Sequence, residues 1–110
     1  MDINIKTVNQ ITIVELSGDI DGKTAPEAQE QILPLIQPTC QLMVDMSGVE
    51  YMSSAGLRVM LSMHRQATAN KGQLVLVGLS EEIQDTMSAT GFLSFFIVQD
   101  TVEAGLAALK

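Results

Sequence analysis

Positive charge is scarce in this 110-residue sequence. Six Lys and Arg stand against thirteen Asp and Glu, for a net charge of −7. Neutralising phosphates takes clustered Lys and Arg, and these six are scattered, so nucleic acid is excluded as a partner class. A protein partner with a basic surface suits the balance better. Cysteine is scarcer still: Cys40 alone rules out an internal disulfide and fits a reducing compartment. At the start of an apolar run it is expected to pack buried or half-buried. No apolar run is long enough to span a bilayer. The opening Met1-Asp2-Ile3-Asn4-Ile5-Lys6 lacks the basic-then-apolar form of a signal peptide, so a cytoplasmic protein with no membrane contact is expected. Repeats, linkers and low-complexity tracts are also missing. With 46% apolar and 17% charged residues, the chain reads as one globular domain over residues 1–110.

What is present is a regular alternation of strand and helix signals. Ile3 to Val8 alternates apolar and polar residues, the mark of a half-buried strand, and Asn9-Gln10 reads as a turn. Ile11 to Leu16 follows as a second strand and closes an antiparallel hairpin. After the loop Ser17 to Lys23, Thr24 reads as the cap of a first helix, with Glu27 completing a capping box. Ala25, Ala28, Ile32, Leu35 and Ile36 form its inner face, and Pro34 is expected to kink or end it. Leu42 to Met46 reads as a central strand. A second helix starts at Ser53-Ser54, carries an apolar stripe of Leu57, Met60, Leu61, His64 and Ala67 widened by Val59 and Met63, and stops near Asn70-Lys71-Gly72. Gln73 to Gly78 is a further apolar strand, and Ser80 caps a helix from Glu81 to Ala89 with Ile83 and Met87 inward. Phe95 to Val98 reads as a short last strand. Asp100-Thr101-Val102-Glu103 reads as a capping box opening a final helix with Val102, Leu106 and Leu109 inward. The order β-β-α-β-α-β-α-β-α implies an α/β domain with a mixed, mainly parallel sheet, an N-terminal antiparallel hairpin and about four helices.

No catalytic set emerges. Ser54 at a strand-to-helix turn is placed like a nucleophile, but Met52 stands where a nucleophile elbow needs glycine. The single histidine, His64, lies ten residues further along the same helix. That is roughly 15 Å from Ser54, too far to take its proton. His64 sits on the apolar stripe and reads as a packing residue. One His, one Cys and dispersed carboxylates give no metal-ligand spacing. Gly48 and Gly56 lack both the P-loop lysine and the dinucleotide spacing. The chain is therefore read as a non-enzyme with no metal and no cofactor. Most of its seven methionines fall at core positions of strands or helices, which favours packing over a binding role. Spacing favours Ser53 and Ser54 as helix caps. The loop before them carries Tyr51 and Met52, which, if exposed beside a modifiable hydroxyl, would form a protein-docking patch.

The stretch Asp45-Met46-Ser47-Gly48-Val49-Glu50-Tyr51-Met52-Ser53-Ser54-Ala55-Gly56-Leu57-Arg58 resembles the signature of the STAS domain, as found in single-domain bacterial anti-sigma factor antagonists. Further similarities run along the whole chain: Gly18-Asp19-Ile20-Asp21 followed by Thr24-Ala25, Gly78-Leu79-Ser80, Thr90-Gly91-Phe92, and Thr101-Val102-Glu103-Ala104. The resemblance implies a STAS fold and partner switching. An unphosphorylated antagonist binds an anti-sigma factor that is also an ATP-binding serine kinase. Phosphorylation of a loop serine then releases it, and a PP2C-type serine phosphatase resets it. Matched position by position, the phosphoacceptor falls on Ser54, with Ser53 as second choice. Ser53 stands where many members carry Asp, and Ala55 where others carry Ser or Thr. The partner-binding set implied by the resemblance is Asp19, Asp21, Thr24, Glu50, Tyr51, Met52, Ser53, Ala55, Gly56 and Arg58. The free protein is expected to be a monomer. The alternatives are a STAS module in a network without a sigma factor, or one that binds a small ligand or nucleotide.

Overall fold

A computed structural model describes residues 1–109. Five strands, β1 (Asp2–Val8), β2 (Ile11–Ser17), β3 (Gln41–Gly48), β4 (Gln73–Val77) and β5 (Ile97–Gln99), form one sheet in the order β1-β2-β3-β4-β5. The β1–β2 pair is antiparallel and the other pairs are parallel. The helices are α1 (Ala25–Ile32), α2 (Ser54–Ala69), α3 (Glu81–Ala89) and α4 (Val102–Ala108). Each crossover between parallel strands is right-handed by preference, and β2 to β5 are laid down in one direction. Those two conditions put α1, α2 and α3 on one face of the sheet. Their inward residues, such as Ala28, Ile32, Met60, Met63 and Met87, join Val14, Leu42, Val44 and Leu76 in the main core. α4 follows the last strand and has no such constraint. It covers the other face, where Leu109 packs with Ile13, Met43, Val75 and Val77. Six of the seven methionines are buried there or in the main core.

The expected α/β class, element order and mixed sheet are all present. Local details differ at four places, each for a physical reason. β1 is buried less than its alternation implies: Ile3 and Val8 are half-buried against the core, no residue is fully buried, and Ile5 is 41% exposed. It is an edge strand paired only with β2. The turn Asn9-Gln10 does close the hairpin, with both residues at positive φ, 51° and 69°.

Thr24 does not cap α1. Its backbone is already helical and its side chain makes no cap bond. The cap lies three residues earlier: Asp21 Oδ1 accepts from the N–H of Lys23 at 2.9 Å and of Thr24 at 3.1 Å. In return the N–H of Asp21 donates to Thr24 Oγ1 at 2.9 Å. The box is Asp21-Gly22-Lys23-Thr24, and Glu27 has no part in it.

The last strand is Ile97–Gln99; Leu93–Phe95 form a 3₁₀ turn before it. α4 is capped by Thr101, whose Oγ1 accepts from the N–H of Ala104 at 3.1 Å, so Asp100 and Glu103 form no box. Elsewhere α1 ends at Ile32 and a 3₁₀ turn containing Pro34 follows, as proline demands. Cys40 is half-buried. No described helix is long and apolar enough to cross a membrane.

Candidate functional site

The carboxyl ends of β2, β3, β4 and β5 all open onto one edge of the sheet, and the N-termini of all four helices gather there. This is the edge at which open α/β sheets bind their ligands. Two of its loops are tied together by backbone. Gly18 N–H donates to Gly48 O at 3.0 Å, Ile20 N–H to Tyr51 O at 2.9 Å, and Ser53 N–H to Ile20 O at 2.8 Å. Ile20 and Met52 form a parallel bridge. The β2–α1 loop thus runs alongside the β3–α2 loop like two short extra strands. Ile20, 1% exposed, pins the pair to the core.

Two glycines allow this closeness. A Cβ on Gly48 would lie 2.9 Å from Leu16 O. One on Gly56, in the first turn of α2, would lie 2.5 Å from Met52 Cγ and 2.9 Å from Ile20 Cγ2. Just before the loop, β3 departs from regular pairing with β2. There Asp45 Oδ1 accepts from Ser47 N–H at 3.0 Å and from Ser47 Oγ at 2.7 Å.

The pairing of loops brings most of the expected partner-binding residues together. Asp19 is exposed, and Asp21 and Thr24 are partly exposed, on one loop. Glu50 and Tyr51 are exposed on the other, Tyr51 at 55%. Ala55 and Arg58 lie on the first turns of α2, lining a groove against Gly22, Ala25, Pro26 and Gln29. Two residues of the expected set are not on this surface. Met52 is only 7% exposed and Gly56 is buried. The reason is the loop pairing: Met52 faces inward to fill the space under Ile20, and Gly56 is glycine so that Ile20 can reach it. The exposed patch beside the serines is carried by Tyr51, not by Met52.

The two serines have different places. Ser53 is extended and its Oγ accepts from the N–H of Gly56 at 3.4 Å, so it is the cap of α2. Ser54 is the first helical residue and is exposed. The first turn of α2 carries no acidic residue, while those of α1, α3 and α4 carry Glu27, Glu81 with Glu82, and Glu103. The helix dipole at Ser54 therefore lacks the carboxylate that its neighbours have.

Asp21 is held below the ordinary carboxylate range, first by the Lys23 N–H it accepts and then by that of Thr24. Its charge is thus spent on structure. His64 is half-buried on the same helix, with its ring 5.7 Å from Phe95 and 5.4 Å from Phe96. It packs among aromatics and offers Ser54 no base. Among the described residues no cluster of three or more His, Cys, Asp or Glu is placed to hold a metal ion.

Sequence reasoning missed the walls of the site. Gln29 and Ser62 line the groove beside Arg58, and Ser80, Glu81 and Glu82 share a recess with Glu50. Solvent-facing helix residues carry no periodic signal that marks them out.

The sequence pattern of the STAS domain family matches residues 2–105. The chain is similar to an anti-sigma-B factor antagonist of Staphylococcus epidermidis, at 29% identity over 94% of this chain and 98% of that protein. It is similar in structure to an anti-sigma factor antagonist of Mycobacterium paratuberculosis, with a TM-score of 0.87 at 24% identity, covering 98% of this chain and 92% of that one. It shares its fold with the phosphorylated form of the Bacillus protein SpoIIAA, with a TM-score of 0.75 at 16% identity over 99% of this chain and all of that one.

Proposed function

The chain belongs to the STAS domain family, and from that premise we propose that it is an anti-sigma factor antagonist whose switch is Ser54. On this reading it binds, when unphosphorylated, an anti-sigma factor that is also an ATP-binding serine kinase. Transfer of a phosphoryl group to Ser54 Oγ ends the binding. A PP2C-type phosphatase restores it. The protein acts as a cytoplasmic binding module and not as an enzyme, and it is a monomer when free.

One observation carries the reading. Ser53 does the capping, which leaves the Ser54 hydroxyl exposed at the first position of the one helix without an acidic first turn. A phosphoryl group there adds about −1.5 to −2 charges at pH 7. Helix N–H groups and the dipole accept that charge within the domain. SpoIIAA in its phosphorylated form keeps the same fold, so such a domain tolerates the group. A partner packed over Tyr51 does not tolerate it. The phosphate brings bulk and a desolvation cost, beside two paired loops that already carry Asp19 and Glu50. The binding surface changes while the fold stands.

The test is phosphate mapping after incubation with ATP and the anti-sigma kinase of the same organism. Wild type and Ser53→Ala gain one phosphate on Ser54, and Ser54→Ala gains none. A phosphate on Ser53 in the Ser54→Ala protein overturns the assignment.

A further inference from the structure

Arg58 has no acidic neighbour on its own helix. The residues one turn away from it on α2 are Ser54, Ala55, Leu61 and Ser62. The salt bridge among the described residues is elsewhere, joining Lys6 on β1 to Glu15 on β2. In the groove between α1 and α2, Arg58 is the one charged side chain; its neighbours there are uncharged, among them Ala25, Pro26, Gln29 and Ser62. An exposed guanidinium on a helix pairs best with an anion four residues earlier, with the two Cβ atoms about 5–6 Å apart. Here that position is Ser54, which is exposed as Arg58 is. A phosphoryl group on Ser54 supplies the missing anion, in the favourable order of anion before cation. Guanidinium matches it with two parallel N–H donors, which ammonium cannot do.

We infer that Arg58 receives the Ser54 phosphoryl group within the chain, folding back one turn along α2 to hold it. This rests on Ser54 being the switch and adds how the switch is read. Phosphorylation then changes the exposed patch twice: it adds a dianion, and it withdraws the cation that Arg58 offers to a partner. Arg58 is a positioning residue for the modified state.

The test builds phosphoserine into position 54 of the full chain, so that no kinase is needed. Phosphorus NMR follows the second phosphate ionisation, which lies near pH ~6 when unperturbed. The chains compared are wild type, Arg58→Gln and Arg58→Lys. Asp19, Asp21 and the dipole of α2 are common to all three, so differences among them report Arg58 alone. The expected result is a phosphate pKa several tenths of a unit higher in Arg58→Gln than in wild type, with Arg58→Lys between them. Identical titrations in wild type and Arg58→Gln overturn the inference, whatever a kinase does. Failure of the switch reading shows separately, as undiminished kinase binding by the phosphoserine wild type.

Discussion

α2 and α3 begin alike and are loaded differently. Each is capped by a serine, Ser53 or Ser80, whose Oγ accepts from the N–H three residues on, at 3.4 Å and 3.2 Å. The next two residues are Glu81 and Glu82 in α3, but Ser54 and Ala55 in α2. The residue after those is Ile83 in α3, 3% exposed in the main core, but Gly56 in α2, pressed under Ile20. α3 therefore shows what a purely structural helix start looks like on this sheet edge. Its dipole is met by fixed carboxylates and its first turn is anchored by a large apolar side chain. α2 departs from that on both counts. Its dipole meets no carboxylate, and its first turn is fitted to a neighbouring loop.

Opposite substitutions at the same helix position should break this contrast most strongly. Ile83→Ala removes the anchor of α3 and is expected to cost about 2–5 kcal/mol in urea unfolding. Gly56→Val overfills the contact of α2 with Ile20 and Met52, for about 1–3 kcal/mol. It should also unzip the loop pairing, seen as faster amide exchange at Ile20 and Ser53. Removing either cap is next in size. Ser53→Ala and Ser80→Ala should each cost about 1 kcal/mol, because the two caps do the same work.

The charge contrast is smaller and has opposite signs at the two sites. Ser54→Asp should stabilise the domain by about 0.3–1 kcal/mol at low salt, and Glu82→Gln should destabilise it by a similar amount. Both effects should fade in high salt.

The weakest effect is on acid stability. The carboxyl of Asp21 is lowered below 3.8 in the folded chain, so its contribution is fully present above that value. It is lost as pH falls through the lower, folded value. Asp21→Ala should flatten this part of the acid unfolding curve, while Asp21→Asn, still able to cap, should keep α1 in place at neutral pH.

Periodicity was enough to read the sheet and the helices because the strands and helices that carry them are strongly patterned. Val44 and Leu76 lie on apolar strands, and Met60 and Met63 on an apolar stripe, and all are buried as their spacing implies. What escaped was decided by contacts between segments distant in the chain. Asp21 and Thr24 can both cap, and the first did so because its loop is fixed by Ile20 against Tyr51 and Ser53. Met52 turns inward for the same reason, and a loop residue has no period from which its direction can be read. Phe95 and Phe96 have the composition of a strand, but they pack around His64, and pairing with β4 starts only at Ile97. Within the candidate site, the residues around Ser53 and Ser54 were legible as a motif. The separation of Ser53 from Ser54 was not, since both are good caps and only the backbone geometry assigns that role to Ser53.

The most direct test of the switch is the affinity of the anti-sigma kinase for two chains that differ only at position 54, one with serine and one with phosphoserine, measured by calorimetry with nucleotide present. A loss of roughly a hundredfold or more on phosphorylation, with unchanged circular dichroism, is the predicted result. Equal affinity of the two folded chains would contradict the account.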